Sequence, residues 1–194
     1  PFPLGEPKIK TIIFRFFGET AAVIAALQNG EIDAVTGTGG LTVANAPDLD
    51  KIEAAGLYDV MYEPGYQWEH IDLNTSKFPF DDLKVRQAMF HAIDRQALVD
   101  KLYFGKQKTT DLPIPEGLSW AWTPNYNKYP YDPEKAKALL AEAGWDCSAL
   151  PCTKEIDGKP TKLEFTLMTT DRADRQALAQ VIQQQLKAVN MGVN

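Results

Sequence analysis

Residues 79–95, Pro79-Phe80-Asp81-Asp82-Leu83-Lys84-Val85-Arg86-Gln87-Ala88-Met89-Phe90-His91-Ala92-Ile93-Asp94-Arg95, permit few local structures. Pro79 stops an extended approach, and Asp81 or Asp82 supplies a carboxylate to cap a helix. Val85, Ala88, Met89, Ala92 and Ile93 then recur at i, i+3, i+4, i+7 and i+8, a single apolar stripe. Lys84, Arg86 and Gln87 lie off the stripe. One amphipathic helix with a defined start is therefore expected here, packed by one face against a core.

The flanking sequence reads as alternating strands and helices. Ile9–Phe17 is β-rich and predicts a strand covered on both faces. A short helix from Glu19-Thr20 to Leu27 should stop at Asn29-Gly30, and Ile32–Val35 should form a second strand, together a βαβ crossover. Gly37-Thr38-Gly39-Gly40 lacks the Gly-Lys-Ser/Thr ending of a phosphate-binding loop and reads as a plain loop. A helix over Asp48–Ala55 and strands over Leu57–Tyr62 and Tyr66–Asn74 follow, with a break at Glu63-Pro64-Gly65. A second helix spans Asp94–Leu102. Residues 106–131 hold Pro113, Pro115, Pro124, Pro130 and several aromatics, and cannot sustain a long regular element. Asp132-Pro133-Glu134 is a strong helix start with Gly144 as its stop. A turn at Asp157-Gly158-Lys159-Pro160, a strand over Leu163–Thr169 and a helix opening at Asp171 complete the chain, with another strand due to start at its end.

The 194 residues give room for a substantial core in one or two domains. No apolar run approaches the roughly 20 residues of a membrane-spanning helix. The first residues carry no charged-then-apolar export pattern, which is neutral as to compartment. The net charge is −6 with scattered basic residues, so a nucleic-acid partner and a polybasic membrane patch are disfavoured. Cys147 and Cys152 have four residues between them, close enough for a small-loop disulfide in an oxidising compartment; that pairing is favoured over two free buried thiols. Zinc and C-x-x-C redox spacings are not met.

Asn74-Thr75, the Pro-Phe-Asp-Asp element, the Val-Arg-Gln-Ala helix, Leu27-Gln28-Asn29-Gly30-Glu31-Ile32-Asp33 and Tyr131-Asp132-Pro133-Glu134…Gly144-Trp145 together resemble the peptide/nickel-type (family 5, cluster C) extracytoplasmic solute-binding proteins of ABC importers. The resemblance covers nearly the whole chain, while full members are much longer. It implies an α/β, type II periplasmic-binding-protein-like fold with mixed sheets flanked by helices. The chain is then an internal, C-terminally truncated portion of a two-lobed receptor, residues 1–64 in lobe I and 65–194 in lobe II. It further implies capture of a dipeptide or oligopeptide for an ABC permease, in the periplasm or otherwise outside the cytoplasmic membrane, free or lipid-anchored, as a monomer and without a cofactor. Relatives that take nickel, haem or oligosaccharide, and sensory modules of transcription regulators, are the alternatives.

Enzymatic readings fare worse. His70 and His91 lie in separate elements, Asp81-Asp82 are explained by capping, and no nucleophile has a partner. A receptor cleft instead asks for aromatic walls with a few polar anchors. Trp68, Trp120 and Trp122, with Tyr126 and Tyr129, offer the walls; a large ring packed on its own domain is the blander alternative. Gln67 sits beside the expected lobe crossover. Thr169, Thr170 and Arg172 precede the last helix, where free N–H groups and a guanidinium suit a carboxylate. In relatives that bind dipeptides, a basic residue in roughly this turn receives the peptide's C-terminal carboxylate.

Overall fold

The computed structural model describes residues 6, 8–35, 41–62, 65, 68–114 and 118–194. Gln67, the Gly37-Thr38-Gly39-Gly40 loop and the Glu63-Pro64 break lie outside the described residues. The chain divides into two compact units, residues 1–60 and 61–194.

The first unit is built on two helices, α1 (Thr20–Gln28) and α2 (Ala46–Ala54), the second entered through a 3₁₀ turn at Val43–Asn45. Thr42 and Asn45 cap that turn reciprocally. Gly30, at φ +65°, ends α1 by letting Glu31 N–H reach back to Ala26 C=O at 2.8 Å. Val23, Leu27 and Ile52 are buried together, with Phe17, Ile24, Leu49 and Tyr58 against them. The Tyr58 hydroxyl donates to Ile32 C=O at 2.5 Å, fastening the segment after α2 to the one after α1.

The strands expected at 9–17, 32–35, 57–62 and, in the second unit, 66–74 are corrected: their described residues make no ladder, so the βαβ crossover expected over 9–35 is not formed. The error has a physical cause. β-rich composition marks a segment that fits a sheet, but only a neighbouring strand makes it one. Without that neighbour Ile12, Ile13, Phe14 and Phe16 are 68–93% exposed.

The second unit has one apolar core made by three helices. In α3 (Leu83–Ala92) the residues Val85, Ala88, Met89 and Ala92 are buried, as the stripe demands. They meet Ala136, Leu139 and Leu140 of α5 (Pro133–Glu142) and Ile182 and Leu186 of α6 (Ala173–Ala188). Asp82, of the two candidates, is the cap: its carboxylate accepts from Lys84 N–H at 2.8 Å. Asp94 caps α4 (Arg95–Leu102) through Ala97 N–H, and Asp132 caps α5 through Lys135 N–H.

The turn at Asp157-Gly158 joins β1 (Thr153–Ile156) to β2 (Lys159–Lys162) as an antiparallel hairpin, both turn residues at positive φ. Next, β3 (Glu164–Phe165) pairs in parallel with β4 (Gly192–Val193) across α6, and ladder bonds extend to Leu163 and Leu167. This is a βαβ unit. Cys147 and Cys152 are joined by a disulfide, Cα–Cα 4.1 Å. Asn190, in the turn before β4, donates through its carboxamide to Cys147 C=O and accepts through its backbone C=O from Cys152 N–H, both at 2.7 Å.

Two outcomes follow for stability. An added Cβ at Gly192 would lie 3.0 Å from Pro151 Cβ and 3.1 Å from Leu163 C=O, so Gly192→Ala should destabilise by roughly 1–3 kcal/mol in urea unfolding. Replacing both cysteines by serine should cost about 2 kcal/mol, from the freed short loop of the unfolded chain.

Candidate functional site

Three segments of the second unit meet at one place: residues 68–72, the end of α4 and the start of α6. Arg175, in the first turn of α6, donates through Nη2 to Glu69 Oε1 at 2.9 Å and through Nε to the same oxygen at 3.3 Å. Arg172, the residue before α6, grips Asp174 with two bonds, Nε to Oδ1 at 3.1 Å and Nη2 to Oδ2 at 2.5 Å. Tyr103, buried at the end of α4, feels the charges of all four. Trp68 lies beside Glu69 with its ring 5.6 Å from that of His70, and is 42% exposed.

Two positive and two negative side chains make the cluster neutral. Burial pushes Asp174 up, yet the hydrogen bonds and charge of Arg172, with backbone N–H groups, leave it below the usual carboxylate range. Burial raises the Tyr103 phenol, and Glu69 and Asp174 raise it further. It therefore stays protonated and able to donate at neutral pH. Such a site offers a partly exposed ring and ion pairs above a buried phenol, which suits a ligand carrying both charges or a polar neutral one.

Near the α6 start, Thr169, Gln176, Gln180, Gln183 and Asn194 line an open hollow of about 230 Å³, with Leu167 and Ala179 as apolar wall. It sits at the carboxyl ends of the parallel strands β3 and β4, the position where α/β sheets take ligands. Gln183 is already committed to Val193 C=O at 2.9 Å.

The sequence-predicted residues are thus distributed. Trp68 and Arg172 belong to the charged cluster, Thr169 to the hollow, and Thr170 is exposed between them. Trp120 (85% exposed) and the half-buried Trp122 lie on the loop between α4 and α5, as do Tyr126 and Tyr129. That loop leaves α4 through Phe104 and Gly105, both at positive φ. Sequence reasoning missed Glu69, Tyr103, Asp174 and Arg175. The close spacing of Arg172, Asp174 and Arg175 was the one signal that could have pointed to part of the set. Among the described residues, no three His, Cys, Asp or Glu side chains converge on a common point.

The family description for bacterial extracellular solute-binding proteins, family 5 Middle, matches residues 3–194. The nickel-binding periplasmic protein of Escherichia coli is 28% identical over 191 residues, 97% of this chain and 35% of its own length. The haem-binding protein A of Haemophilus influenzae is 33% identical over 141 residues, 73% of this chain and 24% of its own. The crystal structure of the oligopeptide-binding protein of Thermus thermophilus complexed with a pentapeptide superposes with a TM-score of 0.75 at 30% identity, covering 93% of this chain and 31% of that one. The fold is therefore the α/β fold of type II periplasmic binding proteins. The chain belongs to the bacterial extracellular solute-binding proteins, family 5, and spans 24% to 35% of the length of these relatives.

The Arg172–Asp174 pair makes a pH test. Asp174 should titrate below the usual carboxylate range by ¹³C NMR, and above its wild-type midpoint in Arg172→Gln, where burial is less opposed. Because its folded pKa is depressed, the stability this pair lends is present above the ordinary carboxylate pKa and lost as pH falls through the folded value. Acid-limb unfolding should accordingly be flatter in the variant.

Proposed function

We propose that this chain forms part of an extracytoplasmic receptor that captures a short peptide and delivers it, unchanged, to an ABC permease. The observation that carries the reading is the neutral cluster of Glu69, Arg172, Asp174 and Arg175 beside Tyr103 and Trp68. A zwitterionic peptide can exchange into such ion pairs, its carboxylate on a guanidinium and its amide groups on the phenol and carboxamides, while apolar side chains rest on the indoles. In this reading residues 1–64 contribute to lobe I and 65–194 to lobe II, and lobe closure is what the permease recognises. Gln67, Thr170, Trp120 and Trp122 remain proposed ligand contacts. The Cys147–Cys152 disulfide suits a site of action outside the cytoplasm. The pentapeptide complex of the similar Thermus protein supports the peptide class, and the names of other relatives make nickel and haem the competing ligands.

Calorimetry on the full-length receptor with dipeptides to pentapeptides is the direct test. Peptide binding should weaken about tenfold in Arg172→Gln, near 1.4 kcal/mol. Tight binding of a nickel chelate or haem with no response to any peptide would sink the peptide assignment while leaving the receptor class standing.

A further inference from the structure

The loop between α4 and α5 carries Trp120, Trp122, Tyr126 and Tyr129, yet its described residues form no helix or strand to hold their path. Its trailing end is docked on α3. Tyr129 stacks on Phe90 at 5.1 Å and stands edge-on to His91 at 5.7 Å. The Nδ1–H of His91 donates to Pro130 C=O at 2.7 Å, and Asp132 N–H donates to His91 C=O at 2.8 Å.

Arg95 binds both ends at once. Its Nη1 donates to Thr110 C=O at 3.0 Å and pairs with the Asp111 carboxylate, while Nη2 donates to Tyr129 C=O at 2.9 Å. Arg95 and Asp111 are 26% and 20% exposed, so the pair is less screened than a surface one. The guanidinium is itself referenced to the core. It is the first residue of α4, next to Asp94, whose N–H and C=O are both held by the Gln185 carboxamide of α6 at 3.2 and 3.4 Å.

We infer that Arg95 is a positioning residue: one guanidinium closes the base of the aromatic loop and so sets where Trp120 and Trp122 stand toward a ligand. The chemistry requires arginine. A rigid fork of five N–H groups reaches two backbone carbonyls and a carboxylate in different directions, which a lysine ammonium on a flexible stem does not reproduce. The role in ligand affinity rests on the peptide-receptor reading; the role in loop geometry does not.

The test uses the full-length receptor labelled with 5-fluorotryptophan. Arg95→Gln and Arg95→Lys should both shift the ¹⁹F resonance of Trp122 and raise amide exchange over residues 106–114 and 118–131 at least tenfold, with the buried Trp145 resonance unmoved. Asp111→Asn, which keeps the arginine, should give a smaller change of the same kind and serves if Arg95→Gln fails to fold. Unchanged Trp122 and exchange in folded Arg95→Gln or Asp111→Asn, or full rescue by lysine, would overturn the inference. Trialanine affinity should fall about tenfold in Arg95→Gln, and unchanged affinity would refute the link to binding. No trialanine binding by the unaltered receptor would count against the peptide reading, and the fluorine shifts would still decide the loop.

Discussion

Burial of one helix stripe organises the larger unit. Val85, Ala88, Met89 and Ala92 of α3 are all but inaccessible, and the facing residues of α5 and α6 leave water with them. The elements that carry the charged cluster are hung on this contact. The approach to α3 is tied back by Arg86, which donates to Phe80 C=O at 2.6 Å. The elbow between α3 and α4 is gripped by Gln185 of α6. Tyr103, at the far end of α4, and Arg172, at the near end of α6, owe their proximity to how those two helices seat on the core. The nondirectional apolar term brings the helices together; hydrogen bonds then decide which side chains meet.

What could be read from the sequence divides along local and nonlocal lines. The helices at 20–28, 83–92, 95–102 and 133–142 announce themselves through stripes, aspartate caps and glycine stops, all contained within a few residues. Strands do not. Ile9–Phe17 has the composition of a strand but no ladder, whereas Thr153–Ile156, polar in its first three residues, is a real one because Asp157-Gly158 folds its partner back onto it. The site follows the same rule. Trp68 and Arg172 could be nominated by type and place, but the Glu69–Arg175 pair joins residues 106 apart in the chain, and no spacing signals such a meeting.

The charge-paired arginines also alter how a carboxylate anchor is to be understood. A free guanidinium at a helix start attracts any anion. Here each guanidinium already has a carboxylate, so an incoming anion displaces a partner and leaves that partner needing a cation. In the proposed peptide receptor, a ligand bearing both signs would satisfy the exchange and a simple anion would not. Selectivity of this kind arises from the penalty for the wrong ligand rather than from the strength of the right one.

In this 194-residue span taken alone, the uncovered run Ile12-Ile13-Phe14 with Phe16 has a colloidal consequence. A β-prone, proline-free stretch with little charge, open to water, is a template for pairing with its own kind. Arg15, bonded to Glu31 at 2.8 Å, is the one charge that interrupts it. Neutralising that arginine would lower the barrier to self-association, and turbidity would rise with protein concentration before any change in helicity.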